Sequence, residues 1–195
     1  MKIAIISDIH DNAHNLVMAL KQIKEYNVEK IIFLWDFCGA AIAKILSAYP
    51  KRVIAIWGNN DWDKSMITKF CFTKWSNLTV WFDVFDIIEI DWKKIFLSHY
   101  PMLAKHMAKS WDFDAVFYGH NHLKHKEYIW ECLVLNPGEI WAYKTGIAHF
   151  AIYDTKTNNA EIIEVKNAIT SNTKESQKLF KEIWFEFSKT ESHQY

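Results

Sequence analysis

The residues point to an α/β protein in which two β-sheets pack face to face with helices outside. Three observations carry that expectation. In the first third of the chain, short apolar runs alternate with segments of helical period, the pattern of a mainly parallel sheet. From residue 78 the rhythm changes to closely spaced β-rich runs separated by tight turns. The 195 residues, 50 % hydrophobic and 24 % charged, suffice for one domain with a sizeable core.

Taken in order, Lys2-Ile3-Ala4-Ile5-Ile6 reads as a first buried strand. Asp11-Asn12 then offers a helix cap, and Leu16, Val17, Leu20 and Ile23 follow at helical spacing. Residues 30–35 read as a second strand, 40–48 as a short helix stopped by Pro50, and 52–57 as a third strand. This β-α-β-α-β order predicts right-handed crossovers and a ligand site at the carboxyl ends of the strands. Residues 84–90 and 93–98 flank a turn at Asp91-Trp92-Lys93, residues 102–109 suit one or two helical turns, and 114–118 suit a short buried strand. Residues 124–130, 132–136, 147–153 and 160–165 read as successive antiparallel strands. Residues 1–166 are expected to form the domain and 167–195 a helical extension. In that extension Leu179, Phe180, Ile183, Trp184 and Phe187 mark one apolar face, which would cover the core or serve self-association into a homo-oligomer.

Composition excludes several classes. Lys+Arg and Asp+Glu balance at 23 each, so no basic excess signals nucleic acid or an anionic membrane. Cys38, Cys71 and Cys132 are odd in number and scattered, as in a reduced cytoplasmic protein. The N-terminal apolar run is too short for a signal peptide, and no stretch suits a membrane span.

The chemistry is concentrated in five clusters, each following an apolar run. These are Ser7-Asp8-Ile9-His10, Asp36, Gly58-Asn59-Asn60-Asp61, His99 and Gly119-His120-Asn121-His122. Residues two apart on a strand point the same way, so Asp8 and His10 would aim at one spot. A carboxylate and an imidazole converging there form half of a divalent-metal site. His14, His106, His125, His149 and His193 lack matching partners and read as helix, core or surface residues.

In these clusters the chain resembles the calcineurin-like metallophosphoesterases, in particular the small YfcE-type phosphodiesterase branch, from residue 1 to about residue 165. Asn136-Pro137-Gly138 resembles the family's Asn-Pro-Gly-Ser turn, with Glu139 in place of Ser. The resemblance implies a four-layer α/β/β/α sandwich of two mixed β-sheets. It also implies two divalent metal ions, one held by Asp8, His10 and His122, the other by Asn59, His99 and His120, with Asp36 bridging. Such a pair, about 4 Å apart, would clamp a phosphodiester or nucleotide-like substrate and supply a bridging hydroxide for in-line attack. The mixed donors suit Mn²⁺, Ni²⁺, Zn²⁺ or Fe²⁺ better than Ca²⁺ or Mg²⁺. Asn60, Asp61 and His99 are the catalytic candidates, with Asp61 orienting the loop. The alternative within the fold is an interaction scaffold like the eukaryotic retromer subunit, in which the metal site is degraded; here all seven ligand positions are filled.

Two departures stand out. Asn60 replaces the His, or in the YfcE-like branch the Cys, found at this position in relatives. It cannot donate a proton at a useful pKa but can hydrogen-bond a phosphate oxygen, which favours good leaving groups and diesters over alkyl monoesters. Trp35 precedes Asp36 where the family has Gly, and Trp92 sits in a hairpin turn that favours Asp-Gly. Trp62, Trp111 and Trp130 stand at similar places. With ten Trp against five Gly, this suggests a gene that uses UGA for glycine, translated here as tryptophan. A naturally Trp-rich protein is the alternative.

Overall fold

The structure, a computed structural model, describes residues 1–170. The expected apolar face at Leu179–Phe187, and with it the homo-oligomer reading, lies outside the described residues. Strands β1 (Lys2–Ile6), β2 (Lys30–Phe33), β3 (Arg52–Ala55) and β4 (Leu78–Val80) run parallel. They are linked by α1 (Ala13–Ile23), α2 (Ala40–Ser47) and α3 (Lys64–Cys71). Asn12 caps α1, its side-chain oxygen accepting from the Asn15 N–H at 3.0 Å. Because Ile3, Ala4, Ile5 and Ile6 are wholly buried, β1 is covered on both faces, which explains its unbroken apolar run.

The second half holds β5 (Phe85–Ile90), β6 (Lys93–Ser98), α4 (Pro101–Ala108), β7 (Ala115–Tyr118), β8 (His125–Ile129), β9 (Cys132–Asn136), β10 (His149–Asp154) and β11 (Asn159–Glu164). The first sheet has the order β11-β10-β1-β2-β3-β4 and the second β5-β6-β7-β9-β8. Both are mixed. The expectation of an antiparallel second half therefore needs correction: β6, β7 and β9 are mutually parallel, and β10 returns to pair antiparallel with β1. Residue alternation sorts the layers. Ile95, Leu97, Ala115, Phe117, Leu133 and Leu135 join the large core shared with the first sheet. Their neighbours Phe96, Val116, Tyr118 and Val134 face the other way and pack with Ala104 and Ala108 of α4. The result is helices, sheet, sheet, helix.

α3 and β4 were not foreseen from the sequence. Only Ile67 of α3 is buried, so the helix carries almost no apolar stripe; it begins at an Asp63 cap that accepts from Met66 N.

Candidate metal centre

All seven candidate ligands leave the carboxyl ends of β1, β2, β3, β6 and β7, at one edge of the two sheets. The chain turns sharply there. Asp8, His10, Asp36, His120 and His122 all hold positive φ, between 45° and 72°. Left-handed backbone at non-glycine residues is costly and persists where surrounding bonds over-determine it. Those bonds are present: Asp8 N–H donates to Trp35 O at 2.8 Å, His10 N–H to Asp36 O at 3.0 Å, and His120 N–H to both Asp8 carboxylate oxygens at 3.1 and 3.2 Å. Two glycines allow the approach. A Cβ on Gly58 would lie 2.1 Å from Asp36 Oδ1, and one on Gly119 would lie 2.1 Å from Ser7 Oγ.

The side chains converge in two groups around Asp36. Asp8, His10 and His122 bring donor atoms within 4.8 Å of one another, as do Asp8, Asp36 and His99. Asn59 Oδ1 lies 2.8 Å from His99 Nε2 and 2.9 Å from His120 Nδ1. Asp36 Oδ2 is 3.2 Å from His10 Nε2 and 3.7 Å from His99 Nε2, so one carboxylate oxygen stands between the groups.

The donor set fits divalent cations on two counts. His99 Nδ1 faces the Leu34 carbonyl at 3.3 Å and His122 Nδ1 faces Glu139 Oε2 at 2.7 Å. Both partners accept, so each Nδ1 carries the proton and each Nε2 turns a lone pair to the cleft. In addition, His10 Nε2 is buried and, though close to Asp36, has no aligned hydrogen-bond partner. Imidazole nitrogens and carboxylate oxygens gathered this closely suit a divalent cation.

Burial pushes the Asp8 carboxyl up to about 6. Burial acts on Asp36 too, but His10, His99 and the Asn60 amide outweigh it and hold it down at about 2. Burial lowers His99 to about 4 and also lowers His120, so both imidazoles are neutral and available to bind at pH 7. Burial raises Asp61 to about 6; its oxygens accept from Gly58 N at 2.7 Å and Cys38 N at 3.0 Å, tying the two loops together.

Asn60 contacts the shared carboxylate: its backbone N–H and its side-chain amide both donate to Asp36, at 3.1 and 2.9 Å. Two residues with no role assigned from the sequence also belong here. Buried Glu139 grips His122, and Thr145 in turn donates to its other oxygen through both N–H and hydroxyl. Trp141 stacks on His10 with ring centroids 4.3 Å apart. The replacement of Ser by an acid after Asn-Pro-Gly was the visible signal for Glu139; nothing in the sequence marked Trp141. Among the other histidines, His14 is buried with Nε2 2.9 Å from Asn167 O, and His149 meets Lys124; neither joins the cluster.

Residues 1–158 match the calcineurin-like phosphoesterase superfamily domain. The chain belongs to that superfamily. It is 35 % identical over 158 residues to phosphodiesterase MJ0936 of Methanocaldococcus jannaschii, covering 80 % of this chain and 94 % of that one. The structure of an archaeal phosphodiesterase superposes with a TM-score of 0.77 at 32 % identity, covering 84 % of this chain and 99 % of the other. The YfcE phosphoesterase of E. coli shares the fold at a TM-score of 0.62 and 18 % identity, covering 85 % and 100 %. Membership in this phosphoesterase superfamily implies divalent metal ions. No helix among the described residues is long and apolar enough to cross a membrane.

Proposed function

We propose that this phosphoesterase is a dinuclear-metal phosphodiesterase, with Asp8, His10 and His122 holding one cation, Asn59, His99 and His120 the other, and Asp36 shared between them. The observation that carries the reading is the position of Asp36 Oδ2, within 4 Å of an imidazole from each group. When bound, such cations neutralise phosphate charge and lower the pKa of a water that can attack phosphorus in line. Mn²⁺ suits the donor set, as do Ni²⁺, Zn²⁺ and Fe²⁺.

The chain's own residues supply position. Asn60 orients the shared carboxylate, Glu139 fixes the tautomer and tilt of His122, and Asp61 ties the Asn59 loop to the Asp36 loop. Among the candidate site residues, none is a protonated acid placed for a leaving group: Asn60 cannot give up a proton, and His99 is neutral with its proton directed at Leu34 O. Substrates whose leaving group departs as a stable anion are therefore favoured, which points to diesters. A complete ligand set supports catalysis over the scaffold alternative.

The test is to load the protein with Mn²⁺ and compare bis-p-nitrophenyl phosphate with an alkyl phosphate monoester. Turnover of the diester well above the monoester is expected. Equal rates would overturn the leaving-group argument, and an inert protein holding two equivalents of metal would overturn the enzymatic one.

A further inference from the structure

Of the ten tryptophans, nine lie among residues 1–170, and four of those nine, at 35, 92, 111 and 130, have positive φ. Positive φ occurs in only a few per cent of non-glycine residues and is an outlier for bulky ones. Among the described residues no Phe, Tyr, Leu, Ile or Val adopts it. Trp111 and Trp130 stack on each other with ring centroids 4.7 Å apart, but no ring contact joins Trp35 or Trp92 to that pair. What they share is a backbone that glycine fits.

The turn types make this specific. In the β5–β6 hairpin, Asp91 and Trp92 have φ of 51° and 65°, the two positive values of a type I′ turn, for which Asp-Gly is the preferred pair. In the β8–β9 hairpin, Ile129 pairs with Cys132 across a two-residue loop, and only the first loop residue, Trp130, has positive φ. That is the position a type II′ turn reserves for glycine. Trp111 lies two residues past the Lys109 C-cap of α4 and has φ of 67°, a left-handed backbone that glycine adopts without penalty. Trp35 is the most extreme, with φ of 112°, far from the left-handed well near +57°. Its indole is wholly buried against His99, and its Nε1 has no hydrogen-bond partner. Trp92 is 98 % exposed and gains nothing from its ring. Trp62, also suspected from the sequence, lacks positive φ, so the backbone makes no such demand there.

We propose that residues 35, 92, 111 and 130 are glycine in the protein as its own cell makes it, encoded by UGA read as glycine, and that the tryptophans arise from decoding UGA as tryptophan. The five glycines of the written chain then become at least nine, nearer ordinary usage. At position 35, glycine would remove an indole whose ring centroid lies 4.9 Å from that of His99.

Reading the four codons tests this directly. UGA at all four is expected; UGG at 35 or 92 overturns it. Peptide mass mapping of the chain purified from its native host should show the glycine masses at these positions, and tryptophan masses there contradict the proposal. As an independent readout, Trp92→Gly and Trp130→Gly should each raise the thermal midpoint by on the order of 3 °C in a chain of this size, whereas a drop at both would count against it. None of these outcomes depends on whether the protein hydrolyses phosphodiesters.

Discussion

Left-handed backbone occurs at two opposite ends of this molecule, and what its side chains meet differs. At the cleft it is held by Asp8, His10, Asp36, His120 and His122, short polar side chains that are tied down by hydrogen bonds and converge on one another. At the far end Trp92, beside Asp91, and Trp130 hold it in hairpin tips; the first tip lies against the start of β1, where the Met1 amine meets Asp91 at 3.1 Å. The first group spends backbone strain on geometry that a metal site needs. The second has strain with none of the candidate metal ligands beside it. Positive φ in a fold is therefore a functional marker only when the side chains it redirects meet something.

Mutation should separate the two ends, and the largest effect is expected at Asp36. Asp36→Asn should abolish diester hydrolysis to a degree beyond the 10–100-fold typical of a supporting residue, because it weakens both metal positions at once. A steady-state assay at saturating Mn²⁺ checks this. Next comes Glu139→Gln, which removes the anion that orients His122 and should cost about 10–100-fold in metal affinity or activity. Its test is metal titration beside circular dichroism, so that lost binding is distinguished from lost fold.

The pH dependence of metal binding should be milder. In the metal-free protein, burial holds the Asp8 carboxyl at about 6. Metal requires the ionised form, so above pH 6 no proton need leave Asp8, while below it each binding event must expel one. Affinity should then fall about tenfold per pH unit as pH drops below 6. Calorimetry in two buffers of different ionisation enthalpy would show that proton release. Smallest of all is Trp92→Gly, which should leave the diesterase rate unchanged while raising the thermal midpoint.

The contrast also shows what the chain made legible. The strand-end clusters were readable because each candidate ligand follows an apolar run, and strand direction then delivers it to one edge. Trp92 was readable as standing where a hairpin favours glycine because two-residue turns have few solutions, whereas Trp62, suspected in the same way, has no positive φ. Pairing partners were not readable: β10 carries the same buried pattern whether it joins either sheet, and only the fold shows it beside β1. α3 escaped because a helix burying one residue leaves no period to detect. Glu139 was visible as a substitution, but its role depends on a contact with His122, 17 residues away. Asn60 was read as a donor to a phosphate oxygen; its contact with Asp36, 24 residues away, had no sequence signal.

The most direct test of the central claim is the metal content of Mn²⁺-loaded protein, measured by elemental analysis after desalting, for wild type and Asp36→Asn. Two equivalents per chain in the wild type, falling in the variant while the fold is retained, is the expected result. A single equivalent that Asp36→Asn leaves untouched would contradict a shared carboxylate between two cations.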